Sequence, residues 1–154
     1  MDDKLVDAFR ASAQSTFMEM FGIAATAESP RIVDNSEDHG WDITGLVGLA
    51  GEAQGVVAVR LTHMLATSLL EGSGVVANSD KERRELETGL VGELTNIVAG
   101  AAISALTGQN VEIAPPVIIR GPNHHIGWPA IAPVIGISFG LPVGGFEVDL
   151  CVKS

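Results

Sequence analysis

The sequence predicts an α+β fold in which a mixed β-sheet carries long helices packed on one face. Three observations carry that expectation. Leu5, Ala8, Phe9, Ala13, Phe17, Met20 and Phe21 recur at helical spacing, and a longer helical stretch runs from about residue 80 to Leu106. Two pairs of β-type runs are each joined by a glycine-rich turn, the mark of hairpins. Each half of the chain sets a helix before such a hairpin, so a weak internal duplication is expected. Strands mixed with packed helices argue for layers of this kind.

The elements follow in order. The first helix covers residues 4–21 and meets a C-cap glycine at Gly22. Glu28–His39 is polar with one proline and reads as an exposed strand or loop. Trp41–Ala50 and Val56–Leu61 are β-type runs flanking Gly51-Glu52-Ala53-Gln54-Gly55. Thr62 can cap a short helix over 63–71, ended by Gly72. Ser79 or Asp80 opens the long helix, with Gly108 as its stop. Val111–Arg120 is again β-type, and Pro115-Pro116 forces an edge position or a bend within it. Gly121–Pro133 reads as a loop. Val134–Leu141 and Phe146–Val152 form the closing hairpin about Pro142-Val143-Gly144-Gly145.

A chain of 154 residues suffices for a single domain, 1–154, with a real core. Its hydrophobic share of 46% and charged share of 18% exclude a disordered chain. A net charge of −10 repels phosphate backbones, so no nucleic-acid partner is expected. Lys81, Arg83 and Arg84 alternate with Glu82 and Glu85, which reads as a solvated helix start. Cys151 is the only cysteine, which rules out an internal disulfide. The opening residues lack a signal-peptide apolar block, and no apolar run reaches the roughly 20 residues of a membrane span. A cytoplasmic protein with no membrane partner is the expectation.

The long helix contains an anomaly. Gly89, Gly92 and Gly100 surround Glu93 and Asn96, although each interior glycine costs about 1 kcal/mol relative to alanine. At 100° per residue, Leu86, Leu90, Leu94, Ile97, Val98, Ala101 and Ala105 gather on one side as the expected core stripe. Glu93 and Asn96, three apart, are neighbours roughly 110° from the centre of that stripe. Gly89 and Gly100 fall on the same second stripe, one turn before and one turn after the pair. The stripe reads Gly, Glu, Asn, Gly: a carboxylate and an amide with nothing to wall them off. A partner's backbone could come close there, so Gly89 and Gly100 are candidate partner-binding positions. A solubilising wet face, or close packing of another helix of the chain, would use the same residues.

Other groupings carry less chemistry. His124-His125 has no cysteine or carboxylate at zinc-ligand spacing and reads as an exposed loop. Asp34–Gly40 is acidic but lacks the alternating oxygen ligands of a calcium loop. Gly48–Gly55 is glycine-rich without the Gly-Lys-Ser/Thr ending of a phosphate loop, and no Gly-x-Ser-x-Gly turn supports a hydrolase triad.

The stretch "GELTNIVAGAAISAL…IAPPVIIRG" resembles the CheC/CheX/FliY family of chemotaxis phosphatases, and the CheX branch most closely. The family motif is Glu, two residues, Asn on a long helix, with a proline around twenty residues on; here Glu93, Asn96 and Pro115 or Pro116. "AFRASAQSTFMEMFG", "DITGLVGLAGEAQGVVAVRLT" and "PVIGISFGLPVGGFEVDL" resemble the family's opening helix and two hairpins, so the likeness spans nearly the whole chain. The chain departs from the family pattern at Gly89, where Asp or Ser is common, and in a slightly early proline. CheC members carry two motif copies; here Glu19 is followed three residues later by Gly22, so one site is expected.

The resemblance implies a CheC-like fold and a hydrolase, a phosphatase of the aspartyl-phosphate on a CheY-type response regulator. It implies catalytic roles for Asn96, orienting the attacking water, and for Glu93, pairing with the regulator's lysine. It further implies a homodimer, no cofactor in this chain, and Mg²⁺ carried by the partner regulator. A non-enzymatic module docking a regulator or flagellar component through the same helix is the alternative. A purely structural sheet-forming subunit is the third reading.

Overall fold

A computed structural model of the protein describes residues 3–34, 39–106 and 110–153. The chain runs α1 (Asp3–Phe21), β1 (Thr26–Ala27), β2 (Arg31–Ile32), β3 (Ile43–Gly51), β4 (Gln54–Leu61), α2 (His63–Gly72), α3 (Asp80–Ala105), β5 (Val111–Ile113), β6 (Val117–Arg120), β7 (Ile135–Leu141) and β8 (Gly144–Lys153). Local chemistry sets these boundaries. Thr62 caps α2 by accepting from the Leu65 amide, and Ser79 caps α3 by accepting from the Glu82 amide. Gly22, at φ +67°, ends α1. The expected stop at Gly108 lies outside the described residues. Pro115 and Pro116 split the expected 111–120 run into two short strands, as a missing ladder donor requires.

The eight strands form one sheet ordered β1-β7-β8-β4-β3-β5, with β2 also on β7 and β6 also on β3. The α+β class holds, but every pairing is antiparallel, so the sheet is not mixed in strand sense. The order is that of an interlocked duplication. Each half is a long helix, two short strands and a hairpin, with α2 between the halves. The short strands of one half pair with the hairpin of the other: β1 and β2 on β7, β5 and β6 on β3. The second strands of the hairpins, β4 and β8, meet at the centre.

Strand alternation divides the sheet into two faces. Val57, Val59, Leu61, Ile137, Phe139, Phe146, Val148 and Leu150 point to the helices and form the core with Phe9, Phe17, Leu65, Leu94 and Val98. Phe17, Phe146 and Phe139 stack in a row at centroid spacings of 4.1 and 4.5 Å. The opposite face carries Thr44, Arg60, Glu147 and Asp149, which are also buried. Residues 121–134 run across that face and cover it. His124 is therefore no free loop residue: its Nε2 lies 2.6 Å from Thr44 Oγ1 and its carbonyl accepts from Arg60 Nη2 at 2.9 Å.

The core stripe of α3 differs from the expected one. Glu87, Val91, Leu94, Thr95, Val98, Ala99, Ala102 and Ile103 are buried, whereas Ile97, Ala101 and Ala105 are exposed and Leu86 and Leu90 half-buried. The true stripe lies about one residue further round the helix. Large apolar side chains marked its flank, while its centre is made of small and polar residues that fit between α1 and the sheet. By length and composition α3 also passes for a membrane span, with mean hydropathy 1.2 over 18 residues. Its buried side packs on α1, α2 and β3 instead.

Candidate functional site

The site is built on α3, and β3 sets its height. Thr95 sits between Glu93 and Asn96 in sequence but faces the sheet, where its hydroxyl donates to the Val91 carbonyl at 2.7 Å. It rests on Gly45 of β3. A Cβ at Gly45 would run into Thr95 Oγ1, so this mid-strand glycine admits the helix to its seat.

A second anchor holds the start of α3. Glu87 is wholly buried; its Oε1 accepts from Arg120 Nη2 at 3.0 Å and its Oε2 from Thr67 Oγ1 at 2.9 Å. Arg120 also donates to Thr88 Oγ1 and to the Arg84 carbonyl, both at 3.3 Å. One carboxylate thus joins α2, α3 and β6. Sequence reading missed it, because a glutamate in a run such as Arg84-Glu85-Leu86-Glu87 looks like any solvated one.

With the inner face fixed, the outer face follows. Glu93 and Asn96 are both exposed and bond to no other side chain among the described residues. They lie roughly 150° from the centre of the observed core stripe, further toward solvent than the expected stripe placed them. Gly89 is exposed and Gly100 half-buried, and nothing lies within 4 Å of the place a Cβ would occupy at either. The structure therefore places all four residues on one open stripe. Gly92 differs: its Cβ would touch Pro116 and Ile118 at 3.7–4.0 Å, so this is the glycine with a packing partner. Of the two candidate prolines, Pro116 lies within contact of the Cβ place at Gly92, one turn before Asn96. Ile97, assigned to the core from its spacing, is 38% exposed beside the pair. The pair thus has an apolar margin that the sequence did not announce.

The arrangement offers one free carboxylate and one free amide on a ridge without obstructing side chains. Neutral Asn96 can donate and accept at once. Among the described residues no three His, Cys, Asp or Glu side chains are grouped to hold a metal.

This interlocked antiparallel sheet, with a Glu-x-x-Asn pair on the outer face of its longest helix, defines a CheC-like α+β protein. Similar solved structures include the chemotaxis protein CheX of Vibrio vulnificus, 27% identical over 97% of this chain and 99% of that one, TM-score 0.85. CheX of Desulfovibrio desulfuricans is 25% identical with the same coverage and TM-score. The fold recurs in the CheX–CheY–BeF3–Mg complex of Borrelia burgdorferi, 21% identical over 97% of both chains, TM-score 0.78. Among curated proteins none matches the chain. The model of the family described as chemotaxis phosphatase CheX matches residues 43–140, and the chain belongs to that family.

Proposed function

We propose that this chain hydrolyses the aspartyl-phosphate of a CheY-type response regulator, using Asn96 and Glu93. The observation that supports it best is the unobstructed Gly-Glu-Asn-Gly stripe on the outer face of α3 in a member of a phosphatase family. The Borrelia burgdorferi relative of this fold is itself a complex with CheY, BeF3 and Mg.

Phosphoryl transfer has a loose transition state, so it gains more from a placed water than from a strong base. Asn96 holds that water in line with the phosphorus by accepting from it and donating to it. Glu93, an anion, keeps away from the phosphoryl oxygens and pairs with the regulator's active-site lysine, which fixes the register of docking. Gly89 and Gly100 keep the ridge low enough for the regulator's loops. Mg²⁺ travels with the regulator. The chain works as one unit, as a homodimer, in the cytoplasm.

The test is release of phosphate from a phosphorylated CheY-type regulator. Asn96→Ala is expected to slow it on the order of a hundredfold, about 2.7 kcal/mol of barrier, with an unchanged Tm because the side chain is exposed. A mutant as fast as wild type would remove Asn96 from the mechanism. Regulator binding without faster dephosphorylation by the wild type would leave the docking-module reading in its place.

A further inference from the structure

Although the chain carries a net charge of −10, three of its nine Lys and Arg residues converge on one pocket of about 360 Å³, away from Glu93 and Asn96. Arg83, Arg84 and Arg120 line it together with Asp42, His63 and Gly121, and the Gly121 amide donates to the Asp42 carbonyl at 2.9 Å. Arg84 precedes Glu93 by nine residues, which puts it about 13 Å along the helix and half a turn round it.

The cations are held differently. Arg120 is fixed by Glu87, Thr88 and the Arg84 carbonyl. The Arg84 guanidinium has no ion pair or hydrogen-bond acceptor among the described residues. Arg83 reaches Asp80 at 3.4 Å through Nη1, an exposed pair worth little, while its Nε is buried with no acceptor. A buried N–H left unmatched costs about 1–3 kcal/mol, and guanidinium forks match the oxygens of a phosphoryl group. Asp42 is set at the rim, its Oδ2 accepting from the His63 amide at 2.8 Å. The volume exceeds what a bare anion fills and falls in the range of small-molecule sites. Glu87 on Arg120 and Asp80 on Arg83 offset part of the local charge, which leaves Arg84 as the cation most available to an anion; at 0.15 M salt the Debye length is about 8 Å, so the more distant acidic surface weighs little.

We propose that this pocket binds a small phosphate monoester, its phosphoryl group on Arg83, Arg84 and Arg120 and a hydroxyl-bearing remainder toward Asp42. The reading of Arg83 and Arg84 as a merely solvated helix start did not include Arg120, which arrives from β6, 36 residues after Arg84.

The experiment titrates ribose 5-phosphate and inorganic phosphate into the full chain at constant ionic strength, following the Gly121 amide and the arginine Nε–H signals by NMR. Saturable shifts are expected, tighter for the ester. Arg84→Gln should weaken binding at least tenfold, and Lys81→Gln, outside the pocket, should leave it unchanged. Non-saturating shifts, or equal losses in both variants, would mean diffuse electrostatics and overturn the proposal. Inorganic phosphate binding as tightly as the ester would overturn it too, since nothing beyond the phosphoryl group is then recognised. A tetraglutamate peptide binding more tightly than the ester would make the surface a protein-docking site, and equally sink the idea.

Discussion

Asp149 has no exposed surface, and neither of its carboxylate oxygens has a hydrogen-bond partner. Burial pushes its pKa up to about 8, helped by the neighbouring Glu147 and opposed by Arg60, 3.6 Å away, and by Arg31. Glu147 is already bonded, accepting from Arg31 at 2.7 Å and from Ser138 at 3.0 Å. The folded protein therefore keeps a proton on Asp149 that the unfolded chain releases near its ordinary 3.8. Stability from this proton is complete below that value and is lost as pH rises through about 8. Asp149→Asn, a neutral isostere, should flatten the decline and raise Tm at pH 9 by a few degrees, on the order expected for 1–2 kcal/mol in a chain of this size. Thermal melts of both proteins from pH 5 to 9 check this; parallel curves would reject it. The sequence could not show this burial. Phe146-Glu147-Val148-Asp149-Leu150 alternates like a strand with one wet face, and only the fold reveals that residues 121–134 cover that face.

The helix α3 was legible in extent and in the exposed placement of Glu93 and Asn96, and illegible in its rotation. Its cap, its length and the adjacency of Glu93 and Asn96 follow from local chemistry. Its inner face does not, because Thr95 over Gly45 and Glu87 under Arg120 depend on residues 50 and 33 positions away in sequence. A glycine inside a β-type run was the one available sign of close approach. Gly45→Ala should therefore be severe. Its Cβ meets Thr95 Oγ1, α3 must lift, and overpacking of this kind costs about 1–3 kcal/mol. A urea titration should show the loss, and Thr95→Ala in the same chain should recover part of it. The outer glycines should behave oppositely. Gly89→Leu and Gly100→Leu meet open space and gain helix propensity, up to about 1 kcal/mol each, so Tm should hold or rise while regulator binding falls. Gly92→Ala is the matched control, since its Cβ makes only ordinary contacts; leucine there would press on Pro116 and Ile118. Equal loss of Tm and binding at Gly89 and Gly100 would exclude the access role.

At the scale of the molecule, the duplication was visible as a repeated order of helix and hairpin, but not the exchange. No pattern in one half says that its short strands will pair with the other. The exchange has a direct test at the exposed stretch between α2 and α3. Fragments 1–76 and 77–154, each made alone, should show no cooperative melt, because each lacks the partners of its own hairpin edges. Mixed, they should recover helix and strand signals and a single transition by circular dichroism. An independent melt of either fragment would show that the halves are separable. The central position of β8 has a further consequence for a chain made from its N-terminus. When α3 and its Glu93–Asn96 ridge have left the ribosome, β4 still lacks the strand that will cover its free edge, and an unpaired edge invites pairing with other chains. The last strand synthesised is the one that closes the middle of the sheet. A chain truncated during translation thus holds the whole ridge on a sheet whose β4 edge is still open.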